Sequence, residues 1–160
     1  KGIPMLLEVW KKIKQLPLEL TLIGPVSREM EEYITAHFPE VELKGKLPFH
    51  MVKTLLPTYD VMVFPSFFEG FGLVVPEAMA CGLPVVTTTA TCGPDIITDG
   101  KEGKIIASGD AAGLQSAIEN LVQHRSQIPE MSRQARQTVL QYSWDAYGDK
   151  WHHILDEFCQ

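Results

Sequence analysis

Residues Pro65 to Pro84 read PSFFEGFGLVVPEAMACGLP, and this stretch restricts the possible folds more than any other part of the chain. An apolar run, Val61 to Phe64, leads into it and has the character of a buried strand. Gly70 and Gly72 follow, two residues apart. Val74, Val75, Ala78, Met79 and Ala80 then provide the packing side chains of a short helix, which Gly82 and Pro84 stop. Pro76 falls in the first turn, where a missing N–H costs little. Strand, glycine loop and helix start, in that order, build an anion site: the first amides have no helical partner, and the helix dipole favours negative charge. Glu69 and Glu77 flank the site. Carboxylates suit hydroxyl groups, which donate hydrogen bonds to them. An anion with several hydroxyls describes a nucleotide, a sugar phosphate, or the two joined as a nucleotide sugar.

The remaining chain reads as alternating helices and strands. Ile3, Leu6, Leu7, Trp10, Ile13 and Leu16 recur at helical spacing, so a helix begins almost at residue 3. Leu18 to Ile23 reads as a strand running into Gly24-Pro25. Ser27 is positioned to cap a helix from Arg28 to Phe38, with Met30, Tyr33 and Ile34 as its packed face. Val41 to Lys46 is a short strand, Pro48 to Leu56 a short helix ended by Pro57, and Asp60 to Phe64 the strand before the glycine loop. Pro84 to Thr88 is another strand. Thr89 to Gly103 reads as a turn-rich connection, and Lys104 to Ala107 as the last strand. Asp110 caps a helix through His124 that turns Leu114, Ile118, Leu121 and Val122 inward. Pro129 to Gln141 and Ser143 to Phe158 are further helices. This alternation predicts an α/β fold, a doubly wound parallel sheet in one domain spanning residues 1–160. Ligands of such sheets sit beyond the C-terminal strand ends, where Gly24 and Glu69 both fall.

Composition narrows the classes of function. The chain has 160 residues, 45% apolar and 21% charged, which suits an ordinary globular domain. A formal net charge of −6 argues against nucleic acid and anionic membrane surfaces as partners. No apolar run is long enough to span a bilayer, and no leader peptide is seen. Cys81, Cys92 and Cys159 follow no metal or disulfide spacing, which suggests reduced thiols and a cytoplasmic location. His152 and His153 are adjacent and would diverge on a helix, so a shared metal is not expected. No D-x-D appears either, so no metal is expected on a diphosphate.

The pattern E-G-F-G-x-x-x-P-E-A-M-A-x-G-x-P-V-V, from Glu69 to Val86, resembles the donor-site signature of retaining glycosyltransferases of GT-B architecture, the large family-four (group 1) type. The resemblance extends over essentially the whole chain: Lys1-Gly2, an apolar helix and then LTLIGP resemble the start of that family's donor domain. It implies a Rossmann-like C-terminal domain whose first strand, carrying a glycine-arginine pair, lies upstream of this sequence. The acceptor-binding N-terminal domain would lie upstream too, with membrane contact, if any, made through that part. It implies a donor that is a nucleoside diphosphate sugar, UDP- or GDP-linked, with no metal or other cofactor and with retention of anomeric configuration. The isolated chain is then expected to be inactive.

Site residues carry over one by one. Glu69 matches the acid that contacts the donor sugar near the reacting centre, and Lys1 the lysine that helps neutralise the diphosphate. Glu77 matches the acid that holds the ribose hydroxyls, and it also suits a helix first turn as an acid. Gly70, Phe71 and Gly72 would present backbone amides to the sugar, and Leu73 and Val74 would present theirs to the diphosphate. Gly24 matches a glycine that lets the diphosphate pass close to a strand end, and also reads as a simple turn glycine before Pro25. Leu47, two residues after Gly45, matches the place where the base is read through backbone groups. Phe67 and Phe68 suit either the lining of a cleft between domains or, as aromatics at this density more often do, the core, and are left out of the site; His50, Arg133 and Arg136 read as solvated helix residues. A non-catalytic nucleotide or sugar-phosphate binding module is the competing class of function. A dinucleotide oxidoreductase would need G-x-G-x-x-G after the first strand, and the chain lacks it.

Overall fold

In a computed structural model, which describes residues 1–158, the chain forms five parallel strands flanked by eight α-helices. Cys159 lies outside the described residues. The order is α1 (Ile3–Ile13), β1 (Thr21–Ile23), α2 (Arg28–His37), β2 (Glu42–Gly45), α3 (Phe49–Leu55), β3 (Met62–Phe64), α4 (Val74–Ala80), β4 (Val85–Thr88), α5 (Gly93–Ile96), β5 (Gly103–Ile106), α6 (Ala111–Gln123), α7 (Ile128–Val139) and α8 (Trp144–Phe158). Short 3-10 turns lie at Leu56–Thr58 and Arg125–Gln127. The caps follow sequence chemistry: the Ser27 hydroxyl accepts from Met30 N at 3.3 Å, and Asp110 accepts from Gly113 N at 2.8 Å.

The strands pair in two ladders, β1–β2 and β3–β4–β5, parallel throughout. No ladder joins β1 to β3, so the expected single sheet is divided there among the described residues. Alternation along the strands then decides which face each side chain serves. Val63, Val86 and Ile106 point into a core shared with α1, α2 and α6, built on Leu7, Ile13, Ile34, Phe38 and Leu114. Their neighbours Met62, Phe64, Val85 and Ile105 point the other way, against Val75, Met79, Ile96 and Ala135 of α4, α5 and α7. Helices therefore cover both faces, as a doubly wound fold requires.

Four details correct the sequence reading. The strands are shorter than expected, because Leu18 and Val61 pack on the core without entering a ladder, and Leu20 joins the pairing only through its carbonyl, which accepts from Glu42 N at 3.0 Å. The turn-rich connection contains α5, opened by Gly93-Pro94 with proline in its first turn, where its missing N–H is tolerated. Gly103 belongs to β5 and not to the preceding turn. Tyr33, expected inside, is 40% exposed, and Phe38 fills that side of the core instead. The closing helix α8 buries none of its residues, leaving Trp144, Tyr147, Trp151 and Phe158 exposed. Among the described residues no helix is long and apolar enough to cross a membrane.

Candidate functional site

The glycine loop leaves β3 and reaches α4 along a path fixed from below by the loop after β4. Glu69 N donates to Ala90 O at 3.1 Å, and Cys92 N donates to Phe71 O at 2.7 Å. The Thr87 hydroxyl donates to Phe64 O at 3.1 Å, and the buried Thr88 hydroxyl to Ser66 O at 2.6 Å. Cys92 sits beneath Gly72, its Sγ 3.6 Å from the Gly72 carbonyl; burial pushes its thiol up to about 11, so it stays protonated. Gly72 itself has φ 90°, a left-handed conformation that suits glycine.

Glu69 is the focus of this loop. Its carboxylate accepts hydrogen bonds from the Lys1 ammonium and, at 2.9 Å, from the Ser66 hydroxyl. The Lys1 contact, reinforced by Ser66, holds the Glu69 carboxyl below the usual carboxylate range in spite of its partial burial. Lys1 reaches Glu69 because α1 starts against the loop. Gly2 has φ 76°, and any Cβ there would lie far inside contact distance of the Pro65 carbonyl oxygen. A Gly2→Ala variant is therefore expected to lift Lys1 off Glu69, at a cost of roughly 1–2 kcal/mol for the left-handed backbone alone. A carboxyl-carbon NMR titration should then show the Glu69 midpoint rising toward the ordinary value; an unchanged midpoint would contradict this packing.

Between the two loops lies an open concavity of about 290 Å³. Phe68, Glu69, Phe71, Thr89, Thr91 and Asp95 line it. Carboxylates, hydroxyls and aromatic faces in one hollow suit a polyhydroxylated ligand. Phe67 and Phe68 are 51% and 83% exposed, so the expectation that they are core is overturned: the loop turns them to solvent. Ser66, Thr88 and Asp95 were not singled out from sequence. For Ser66 and Thr88 the run Thr87-Thr88-Thr89, which closes the apolar strand β4, was the available signal, since buried hydroxyls at a strand end must find partners.

The other candidate residues lie around this centre. Leu73 and Val74 enter α4, and their amides donate to no backbone carbonyl among the described residues, whereas Val75 N already reaches Gly72 O at 2.9 Å. Glu77 stands exposed on α4, and its backbone N–H is bound to Leu73 O. Gly70 is exposed, with open space around its α-carbon. Gly24 follows β1 in a left-handed conformation, its N–H bound to Gly45 O at 2.8 Å, and Leu47 is half-buried just beyond β2. Lys1, Ser66 and Glu69 are thus brought into direct contact. Glu77, Gly24 and Leu47 are outside the concavity beside Glu69.

A parallel sheet covered by helices on both faces, with a glycine loop running from a strand into a helix start between two acids, is the arrangement of a doubly wound α/β domain. The chain belongs to the group 1 glycosyl transferases, whose family model matches residues 1–124. It is 32% identical over 153 residues to the sulfoquinovosyl transferase of Arabidopsis thaliana, a match covering 94% of this chain and 30% of that protein. It is 30% identical over 141 residues to a D-inositol 3-phosphate glycosyltransferase of Paenarthrobacter aurescens, covering 84% and 34%. Among solved structures it resembles TarM, with TM-score 0.83 and 26% identity, covering 96% of this chain and 32% of that one. A TarM variant from S. aureus, crystallised with fondaparinux, α-GlcNAc-glycerol and UDP, superposes at TM-score 0.80 with 26% identity, over 96% of this chain and 32% of that one. The chain thus spans about a third of the length of these relatives.

Proposed function

We propose that this chain is the donor-binding part of a retaining glycosyltransferase that takes a nucleoside diphosphate sugar, with UDP as the favoured nucleotide. The observation that carries the reading is the contact of Lys1 and Glu69 on a glycine loop that ends in the free amides of Leu73 and Val74. UDP in the TarM complex supports the choice of base. The coverage of about a third supports an acceptor-binding part contributed by the rest of a longer protein. In the reaction, the bond between the anomeric carbon and the diphosphate breaks and its electron pair leaves with the nucleotide, while an acceptor hydroxyl oxygen bonds to that carbon and gives up its proton to the departing phosphate. Lys1 and the amides of Leu73 and Val74 meet the charge that builds on the leaving phosphate, the kind of preorganised stabilisation that lowers a barrier most. Glu69 takes hydroxyls of the sugar and Glu77 those of the ribose, which fixes orientation. Lys1, 63% exposed at its side chain, is free to swing from Glu69 to the phosphate. The reading includes no metal, retained anomeric configuration, a cytoplasmic setting and no transfer by this chain alone.

Calorimetric titration with UDP, GDP and ADP tests it. UDP is expected to bind, and Glu77→Ala to weaken it about ten-fold, close to one charge-assisted hydrogen bond, without changing the melting temperature. A folded chain that binds none of the three, or a Glu77→Ala chain that binds UDP as well as the parent does, would overturn the reading.

A further inference from the structure

We propose that Ser66 is the positioning residue of the Glu69 carboxylate, deciding which of its oxygens is offered to the donor sugar. This rests on the donor-site reading above. Ser66 is fully buried, the second residue after β3. Its hydroxyl has two acceptors in reach, Glu69 Oε1 at 2.9 Å and Phe68 O at 3.2 Å. It has one proton, and the shorter contact to an anion is the stronger claim on it. Lys1 also bonds Oε1, so both protein donors sit on one oxygen and Oε2 is left for a ligand.

Ser66 is itself held. Its carbonyl accepts from the buried Thr88 hydroxyl at 2.6 Å, and that same hydroxyl accepts from Ala90 N at 3.3 Å. Ala90 O in turn takes the Glu69 amide at 3.1 Å. The bonds close a ring, from the Glu69 side chain through Ser66, Thr88 and Ala90 back to the Glu69 main chain. Backbone and carboxylate of Glu69 are thus fixed from one place, the end of β4. Lys1 does not do this work, because its side chain is mostly exposed and an exposed ion pair holds geometry weakly. A buried hydroxyl on a backbone held in this way favours the nearer, anionic acceptor over Phe68 O and so fixes the carboxylate.

Two readouts on Ser66→Ala test the assignment. The first is the Glu69 midpoint from a carboxyl-carbon NMR titration of the chain without ligand. The charged groups facing Glu69 are the side-chain and α-ammonium groups of Lys1 and, across the concavity, Asp95, and none of them changes in the variant. The midpoint is expected to rise, because one hydrogen bond to the anion is lost. A purely structural serine would leave it in place, and an unmoved midpoint overturns the proposal. The second compares UDP with UDP-glucose and UDP-N-acetylglucosamine. UDP affinity should stay within about two-fold, while any extra affinity conferred by the sugar falls about ten-fold, as loss of one oriented acceptor implies. Equal loss for UDP and the UDP-sugars would overturn it. If the parent chain binds no nucleotide, the donor-site reading fails, and the titration still decides the role of Ser66. Should the alanine variant not fold, Ser66→Cys keeps nearly the volume with a weaker donor, and its midpoint is expected above the parent's; a midpoint equal to the parent's overturns the proposal.

Discussion

Replacing Gly103 by alanine is expected to lower the melting temperature by roughly 6–12 °C, from about 3 kcal/mol of destabilisation at 2–4 °C for each. Gly103 is buried, opens β5 and pairs with Val85 of β4. A Cβ at this position would be driven into the Val85 main chain, 2.9 Å from both its amide nitrogen and its carbonyl carbon and closer still to the carbonyl oxygen. Side chains can move aside, but this obstacle is backbone. Val85 is wholly buried in the middle strand, paired with Met62 on one side and Gly103 on the other, so it cannot retreat without parting a ladder. Gly103 is not among the glycines of positive φ, so the cost is steric and not conformational. It belongs at the upper end of the usual overpacking range because both partners are main chain. Gly148→Ala is the control. It lies inside α8 with open space around it, and there alanine should stabilise by about 0.5–1 kcal/mol through helix propensity. Thermal unfolding followed by circular dichroism measures both, and a Gly103→Ala chain melting within about 2 °C of the parent would refute the Val85–Gly103 pairing.

Gly103 also marks what the sequence does not disclose. Read along the chain, it is one more glycine in a turn-rich segment, beside Gly100. Only the neighbouring strand shows that one must stay bare for packing while the other has φ 83°. Local signals were legible where the chemistry is local. The Ser27 and Asp110 caps, the apolar faces of α1 and α6 and the arrest of α4 by Gly82 follow from residues within one or two turns. The alternation of Val85 and Val86 between two cores also follows from strand period, once helices are assigned to both faces. The candidate site was legible at Glu69, Glu77 and the glycines, because they form an ordered run of sequence. Ser66 and Thr88 were not, since their role depends on a contact across 22 residues of sequence. Phe67 and Phe68 were misplaced for a related reason: aromatic density suggests burial, and the loop geometry that exposes them is set by β4. Strand ends were overrun because Leu18 and Val61 serve the core while outside any ladder, which an apolar pattern cannot distinguish from pairing.

Glu102 provides the second large effect. It is a carboxylate with 1% exposure, next to Gly103 and not among the residues that line the concavity. Its Oε2 accepts from Thr98 N at 2.9 Å, and its Oε1 from the Thr138 hydroxyl at 2.8 Å, with Lys101 Nζ at 3.3 Å. The carboxylate therefore ties the end of α5 and the start of β5 to α7. Burial acts to raise its pKa, but the Thr138, Thr98 and Lys101 donors together outweigh burial and hold it below the usual range. Glu102→Ala is expected to cost roughly 1–3 kcal/mol, because the half-buried Thr138 hydroxyl and the Thr98 amide lose their acceptor, with relief where water reaches the exposed Thr98. Lys101→Ala should cost less than about 1 kcal/mol, since its ammonium is 54% exposed. The pH dependence has a definite sign. A carboxylate with a lowered folded pKa binds fewer protons folded than unfolded, so its contribution is complete above about pH 5 and lost as pH falls through the folded value. Glu40, Glu42, Glu69 and Glu130 are lowered as well and share that acid limb. The difference between the parent and Glu102→Gln isolates one carboxylate from the rest. Urea unfolding at pH 7 and at pH 3 should show the two chains well apart at neutral pH and converging in acid. A gap that stays constant with pH would mean that Glu102 contributes by packing alone and that its charge is not what anchors α7.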